Sequence, residues 1–118
     1  STLRFKQDFG GIKGGAYLLV VDSSLVSVYG KDSAVFVLGH EYGHYISRTI
    51  VSVNTNTIEE IFEVESACDK VGVQVAGQAA GLHFFGTMLN RIKERKARIL
   101  SDKDKVIKLL NMRREAIA

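Results

Sequence analysis

The sequence has a single cysteine, only three histidines and no proline. A lone Cys68 excludes an intramolecular disulfide and a zinc knuckle built from several thiolates. No apolar run approaches the roughly 18–20 residues of a membrane span. Ser1 to Lys6 lack a signal peptide's basic start and long apolar core, so a soluble, cytoplasmic protein is expected. There is no internal repeat. At 46% hydrophobic and 25% charged residues, the composition excludes a disordered tail, a collagen-like chain and a low-complexity segment. With 118 residues, the chain predicts one domain, 1–118, whose core needs neither disulfide nor metal to fold.

The formal net charge of +3 is too small to name a partner. It is unevenly spread: residues 1–90 are net acidic and residues 91–118 strongly basic. The first thirty residues are punctuated by Gly10-Gly11 and Gly14-Gly15. The run Ala16 to Val21 reads as a strand buried on both faces, and Leu25 to Tyr29 as a short strand or turn. Asp32 or Ser33 is expected to cap a helix running to about Ser47, apolar nearly all round and so central and buried. Arg48 to Thr57 reads as loop or short strand. Thr57-x-x-Glu60 is a capping box opening a second helix, expected to reach about Ala80 and end at Gly81. A third helix is predicted over Phe84 to Leu100. A fourth, capped by Ser101, carries Val106, Leu109, Leu110 and Ile117 on one stripe.

The chemistry lies in the first helix. His40-Glu41-Tyr42-Gly43-His44 matches H-E-x-x-H, and residues four apart on a helix stand one above the other. Two such imidazoles can hold one zinc ion, with Glu41 beside them as general base. The competing reading is two core histidines and a buried glutamate. It is disfavoured because an unpaired buried carboxylate costs several kcal/mol.

Catalytic zinc takes three protein ligands and leaves one position open. The position six residues after His44 is Ile50 and the position four after is Arg48, so neither supplies a third histidine. His83, Cys68 or a carboxylate is left. On the second helix, Glu59, Glu63, Ser66, Lys70 and Gln74 form a polar stripe. The opposite stripe is Ile58, Ile61, Phe62, Glu65, Cys68, Asp69, Gly72, Val75, Ala76 and Ala79. Glu65 and Asp69 are its only charges, and two carboxylates four apart on a buried face need a cation opposite them. Glu65 is therefore assigned as third ligand. Asp69, one turn on, would accept the free ring N–H of a zinc-bound histidine and fix its tautomer.

H-E-x-x-H followed by E-x-x-x-D is the gluzincin arrangement. More closely, the chain resembles the catalytic core of the prenyl-protein (CAAX) protease and membrane heat-shock protease family. The likeness is carried by Leu18 to Leu25, by Ala34 to His44, and by Glu65-Ser66-Ala67-Cys68-Asp69, where Cys68 replaces the usual Ala. It implies an α+β, minimal zincin-like fold: a small N-terminal β-sheet, an active-site helix, a third-ligand helix and two C-terminal helices. It also implies a zinc endopeptidase with His40, His44 and Glu65 as ligands, Glu41 as base and Asp69 behind the ligands. The family's membrane helices and its His-Pro step before the last helix are missing; Leu100-Ser101-Asp102 stands at the latter.

A peptide or protein substrate is expected to lie extended along the sheet edge near Ala16 to Val21. The oxyanion donor is not identified; His83, Tyr45 and Arg91 are candidates. Cys68 reads as a small buried hydrophobe. The basic stretch Arg91 to Arg114 reads as the solvated face of two helices. It lacks interleaved aromatics, which disfavours nucleic acid as a partner. The rival function keeps fold and zinc but acts as a regulatory or protein-interaction module without proteolysis. A distant third histidine would have to be His83. Nothing in the sequence fixes the oligomeric state.

Overall fold

The computed structural model describes residues 10–13, 16–19, 23–52, 55–94 and 103–118. Five helices carry the architecture: α1 (Ser23–Tyr29), α2 (Lys31–Ser47), α3 (Ile58–Ala76), α4 (Gln78–Glu94) and α5 (Lys103–Ile117). Strands β1 (Gly10–Lys13) and β2 (Ala16–Leu19) pair antiparallel, with Gly10 opposite Leu19 and Lys13 opposite Ala16. The expected α+β fold with an N-terminal β-sheet is overturned. This short hairpin is the only strand pairing among the described residues, and two strands do not make a layer. The fold is all-α, because the buried side of α2 is taken by other helices, chiefly α3 and α4. Val20 and Val21, expected to extend the strand, lie outside the described residues.

Leu25 to Tyr29 is helical rather than a strand or turn. Helical spacing puts Leu25 and Tyr29 on one face; Leu25 is buried and the Tyr29 ring lies 5.0 Å from that of Phe84. Packing on α4 overrides the β-preference of Val26 and Val28. Helix α2 starts without a side-chain cap, after Gly30 at φ 89°. Asp32 sits in its first turn, and the buried Ser33 hydroxyl donates to Ala80 O at 3.0 Å, so neither residue is the expected cap. Nor is α2 buried all round: Leu38, Tyr42, Tyr45 and Ile46 are exposed.

The capping box holds. Glu60 N donates to Thr57 Oγ1 at 3.1 Å, and Thr57 N to Glu60 Oε1 at 2.8 Å. The end of α3 differs from expectation. It stops at Ala76, and Gly77 turns the chain at φ 94° into α4. Gly81, expected to cap α3, lies inside α4 and serves packing: a Cβ there would come within 2.7 Å of Ile117 Cδ1. On α3, Ser66 is buried and Val75 exposed, the reverse of the predicted stripes. Helix α4 therefore begins before the predicted Phe84. Residues 95–100 of that predicted helix, and the Ser101 cap, lie outside the described residues. The fourth helix follows its pattern, burying Leu109, Leu110 and Ile117.

The core lies between α1, α2, α4 and α5, around Phe36, Phe84, Phe85, Leu89 and Leu110. Helices α2 and α3 meet more closely than side chains usually allow. A Cβ on Gly39 would fall 2.8 Å from Gly72 Cα, one on Gly43 2.9 Å from Cys68 Cα, and one on Gly72 2.7 Å from Phe36 O.

Gly72→Ala is expected to destabilise the protein. Replacing a mid-helix glycine gains roughly 1 kcal/mol of propensity, but the clash is with backbone and overpacking costs about 1–3 kcal/mol or more. Gly86, which has open space at its Cβ, should show the opposite sign, Gly86→Ala gaining about 0.5–1 kcal/mol. Denaturant midpoints of the two variants test this, and equal shifts would refute the close-approach reading.

Candidate metal centre

His40 and His44 stand one turn apart on α2, and both are buried. Their Nε2 atoms are 3.1 Å apart. Glu65 reaches across from α3, with Oε2 2.7 Å from His44 Nε2 and Oε1 3.5 Å from His40 Nε2. His40, His44 and Glu65 each offer a ligand atom within 4.8 Å of the others, and the three can hold a metal ion.

The other ring nitrogens decide what this convergence means. His40 Nδ1 donates to Asp69 Oδ1 at 2.8 Å, and His44 Nδ1 donates to Thr49 O at 2.7 Å. In neutral rings these bonds place both protons on Nδ1 and leave both Nε2 atoms as lone-pair donors. Two such nitrogens cannot hydrogen-bond each other, and a carboxylate oxygen faces them as a third lone-pair group. A proton carried on a ring and shared with Glu65, or a metal ion in its place, satisfies all three. Nitrogens bound to one tetrahedral zinc at about 2.0–2.1 Å stand roughly 3.3 Å apart, close to the separation seen here.

Charge shows which cation the cluster takes when no metal is bound: protons. Burial opposes a charged ring at both histidines but is outweighed. Asp69 and Glu65 hold His40 up to about 10; Cys68, Glu65 and the Thr49 carbonyl hold His44 up to about 11. Burial pushes the Glu65 carboxyl up, yet the two histidines and Arg113 keep it well below the usual carboxylate range. Asp69, equally resisted by burial, is held low by Arg113 and His40. A pocket that draws protons this strongly is one that a divalent ion can fill by displacing them.

The structure brings His40, His44, Glu65 and Asp69 together as expected. Glu41 lies in the same stretch of α2 and is 1% exposed. Of the suggested oxyanion donors, His83 and Arg91 are exposed on α4, and Tyr45 is exposed beneath Arg48, whose Cζ lies 5.1 Å from the ring centroid. Cys68 is buried against the Gly43 backbone beside His44. His83 takes no part in the cluster.

Sequence reasoning missed Arg113. Its Nε donates to Asp69 Oδ2 and its Nη2 to Asp69 Oδ1, each at 2.8 Å, while Nη1 stands 3.8 Å from Glu65 Oε1. Its guanidinium also covers the Phe85 ring at 5.0 Å. The signal was present: Arg113 is four residues from both Leu109 and Ile117, on the buried stripe of α5. The Thr49 carbonyl, a backbone group, had no such signal.

The chain matches no protein-family model, no curated protein and no solved structure. Among the described residues no helix is long and apolar enough to cross a membrane.

After loading with zinc and desalting, the wild-type chain should retain about one ion. Glu65→Ala should retain far less while keeping its helical circular dichroism. Unchanged zinc in that variant would exclude Glu65 as a ligand.

Proposed function

We propose that the protein is a zinc-dependent endopeptidase of gluzincin arrangement, similar to the catalytic core of the CAAX prenyl-protease and membrane heat-shock protease family. The observation that carries the reading is the meeting of His40 Nε2, His44 Nε2 and a Glu65 oxygen, with both Nδ1 positions already engaged. His40, His44 and Glu65 would hold zinc, leaving room for a further ligand. Bound there, zinc supplies a Lewis acid that polarises the scissile carbonyl and makes water acidic enough to attack at neutral pH.

The chain's own residues do the rest. Asp69 and the Thr49 carbonyl keep the rings turned so that both Nε2 atoms face one point. Glu41, next to His40 on the same helix, takes the proton of the attacking water on its carboxylate. It then returns that proton to the departing amine, so base and acid are one group used twice.

The depth of the centre favours a second reading. His40, Glu41 and His44 are all buried, and the Glu65 side chain is only 13% exposed. A site so enclosed fits a zinc-binding module that stabilises the fold and presents a surface to another protein.

Glu41→Gln separates the two readings. On the peptidase reading it retains zinc but loses cleavage of an unfolded protein such as casein, by roughly 100-fold or more. If the zinc-loaded wild type cleaves nothing across a broad peptide library, the module reading stands and the peptidase reading falls.

A further inference from the structure

We infer that Arg113 is a positioning residue for the metal centre, acting through Asp69 on the tautomer and orientation of His40. The inference rests on the zinc reading above and deepens it.

Three links form a chain. The guanidinium grips both Asp69 oxygens in a fork, Nε on Oδ2 and Nη2 on Oδ1, each at 2.8 Å. Asp69 Oδ1, the oxygen that Nη2 holds, also accepts the His40 Nδ1 proton at 2.8 Å. Asp69 is 0% exposed, so no water shell replaces the fork if it is lost. A carboxylate held by one hydrogen bond can rotate; one held at both oxygens cannot. The fork thereby fixes the plane in which His40 presents Nδ1–H, and with it the direction of the Nε2 lone pair.

Arg113 is itself held. Its charge lies over the Phe85 ring at 5.0 Å. Helix α5 is anchored near both ends, by Lys105 Nζ donating to Asn56 O at 3.0 Å and by Gln78 Nε2 donating to Ile117 O at 2.8 Å. A lysine would keep the charge but not the planar fork. The last helix, which carries none of the metal-binding side chains, thus sets the geometry of a ligand on α2.

The test is a cycle of Arg113→Met and Asp69→Asn, singly and together, with zinc affinity and the ring ¹⁵N and Nδ1–H resonances of His40 as readouts. Arg113→Met should weaken zinc binding about tenfold, the lower end expected for groups supporting a metal ligand. The His40 Nδ1–H resonance should lose its protection from exchange. In the Asp69→Asn background the same change should add nothing. Arg113→Lys, read in the same way, stands in if Arg113→Met does not fold, and should not restore the affinity.

An unchanged zinc affinity and unchanged His40 resonance in a folded Arg113 variant would overturn the inference, as would an equal loss in both backgrounds. If the wild type takes up no zinc, the peptidase reading fails on its own. The His40 resonance of the metal-free protein, dependent on Arg113 or not, then decides the positioning role.

Discussion

The structure depends on the close approach of α2 and α3. At Gly39 over Gly72 and Gly43 over Cys68, backbone meets backbone or a small side chain, and a methyl group at any of the three glycines would collide. Spacing of this kind lets side chains on facing helices converge closely enough to share one ion. His40 and His44 alternate with Gly39 and Gly43 along α2, while Glu65 and Asp69 stand one turn and one residue from Cys68. The residues that permit contact and those that use it are interleaved on the same two faces. The glycine price is paid in helix propensity, about 1 kcal/mol per residue, and packing returns it.

Such closeness would be unstable without charge balance. One buried carboxylate, Asp69, and one half-buried, Glu65, meet one guanidinium, that of Arg113, among the described residues. The remaining negative charge falls to whatever the histidines bind. Removing one partner of a buried pair commonly costs about 3–5 kcal/mol, so Asp69 and Arg113 are as much a structural tie between α3 and α5 as a support for the centre. The same pair serves both purposes because the fork on Asp69 leaves Oδ1 free to accept from His40 as well.

How much of this was legible in the sequence depends on whether a residue's meaning is local. The capping box at Thr57 and the spacing of His40 with His44 are local, and both took the expected form. Glu65 and Asp69 were found because charge on an apolar stripe is costly and needs a reason. Arg113 carried that same signal on α5 but was absorbed into a basic run with Arg114. The glycines were harder. Gly77 ends α3 and Gly81 makes a packing contact, yet the sequence reading runs the helix through Gly77 and takes Gly81 as its cap. Leu25 to Tyr29 became a helix because Phe84 was there to receive it, and no local preference encodes that. The α+β expectation came from the apolar run Ala16 to Val21 as well as from resemblance, and the helices supplied the core without a sheet.

The exposure of the cluster has a direction. Asp69 is sealed and the histidines nearly so, while the Glu65 and Arg113 side chains keep 13% and 12% of their surface. Among the described residues of the cluster, the most exposed side chains are therefore Glu65 on α3 and Arg113 on α5. The guanidinium of Arg113 stands 3.8 Å from Glu65 Oε1, the oxygen that lies 3.5 Å from His40 Nε2. The group that holds Asp69 in place is thus also one of the two most exposed members of the cluster among the described residues. Helix α5 therefore both ties down Asp69, through the fork of Arg113, and sets a positive charge beside Glu65.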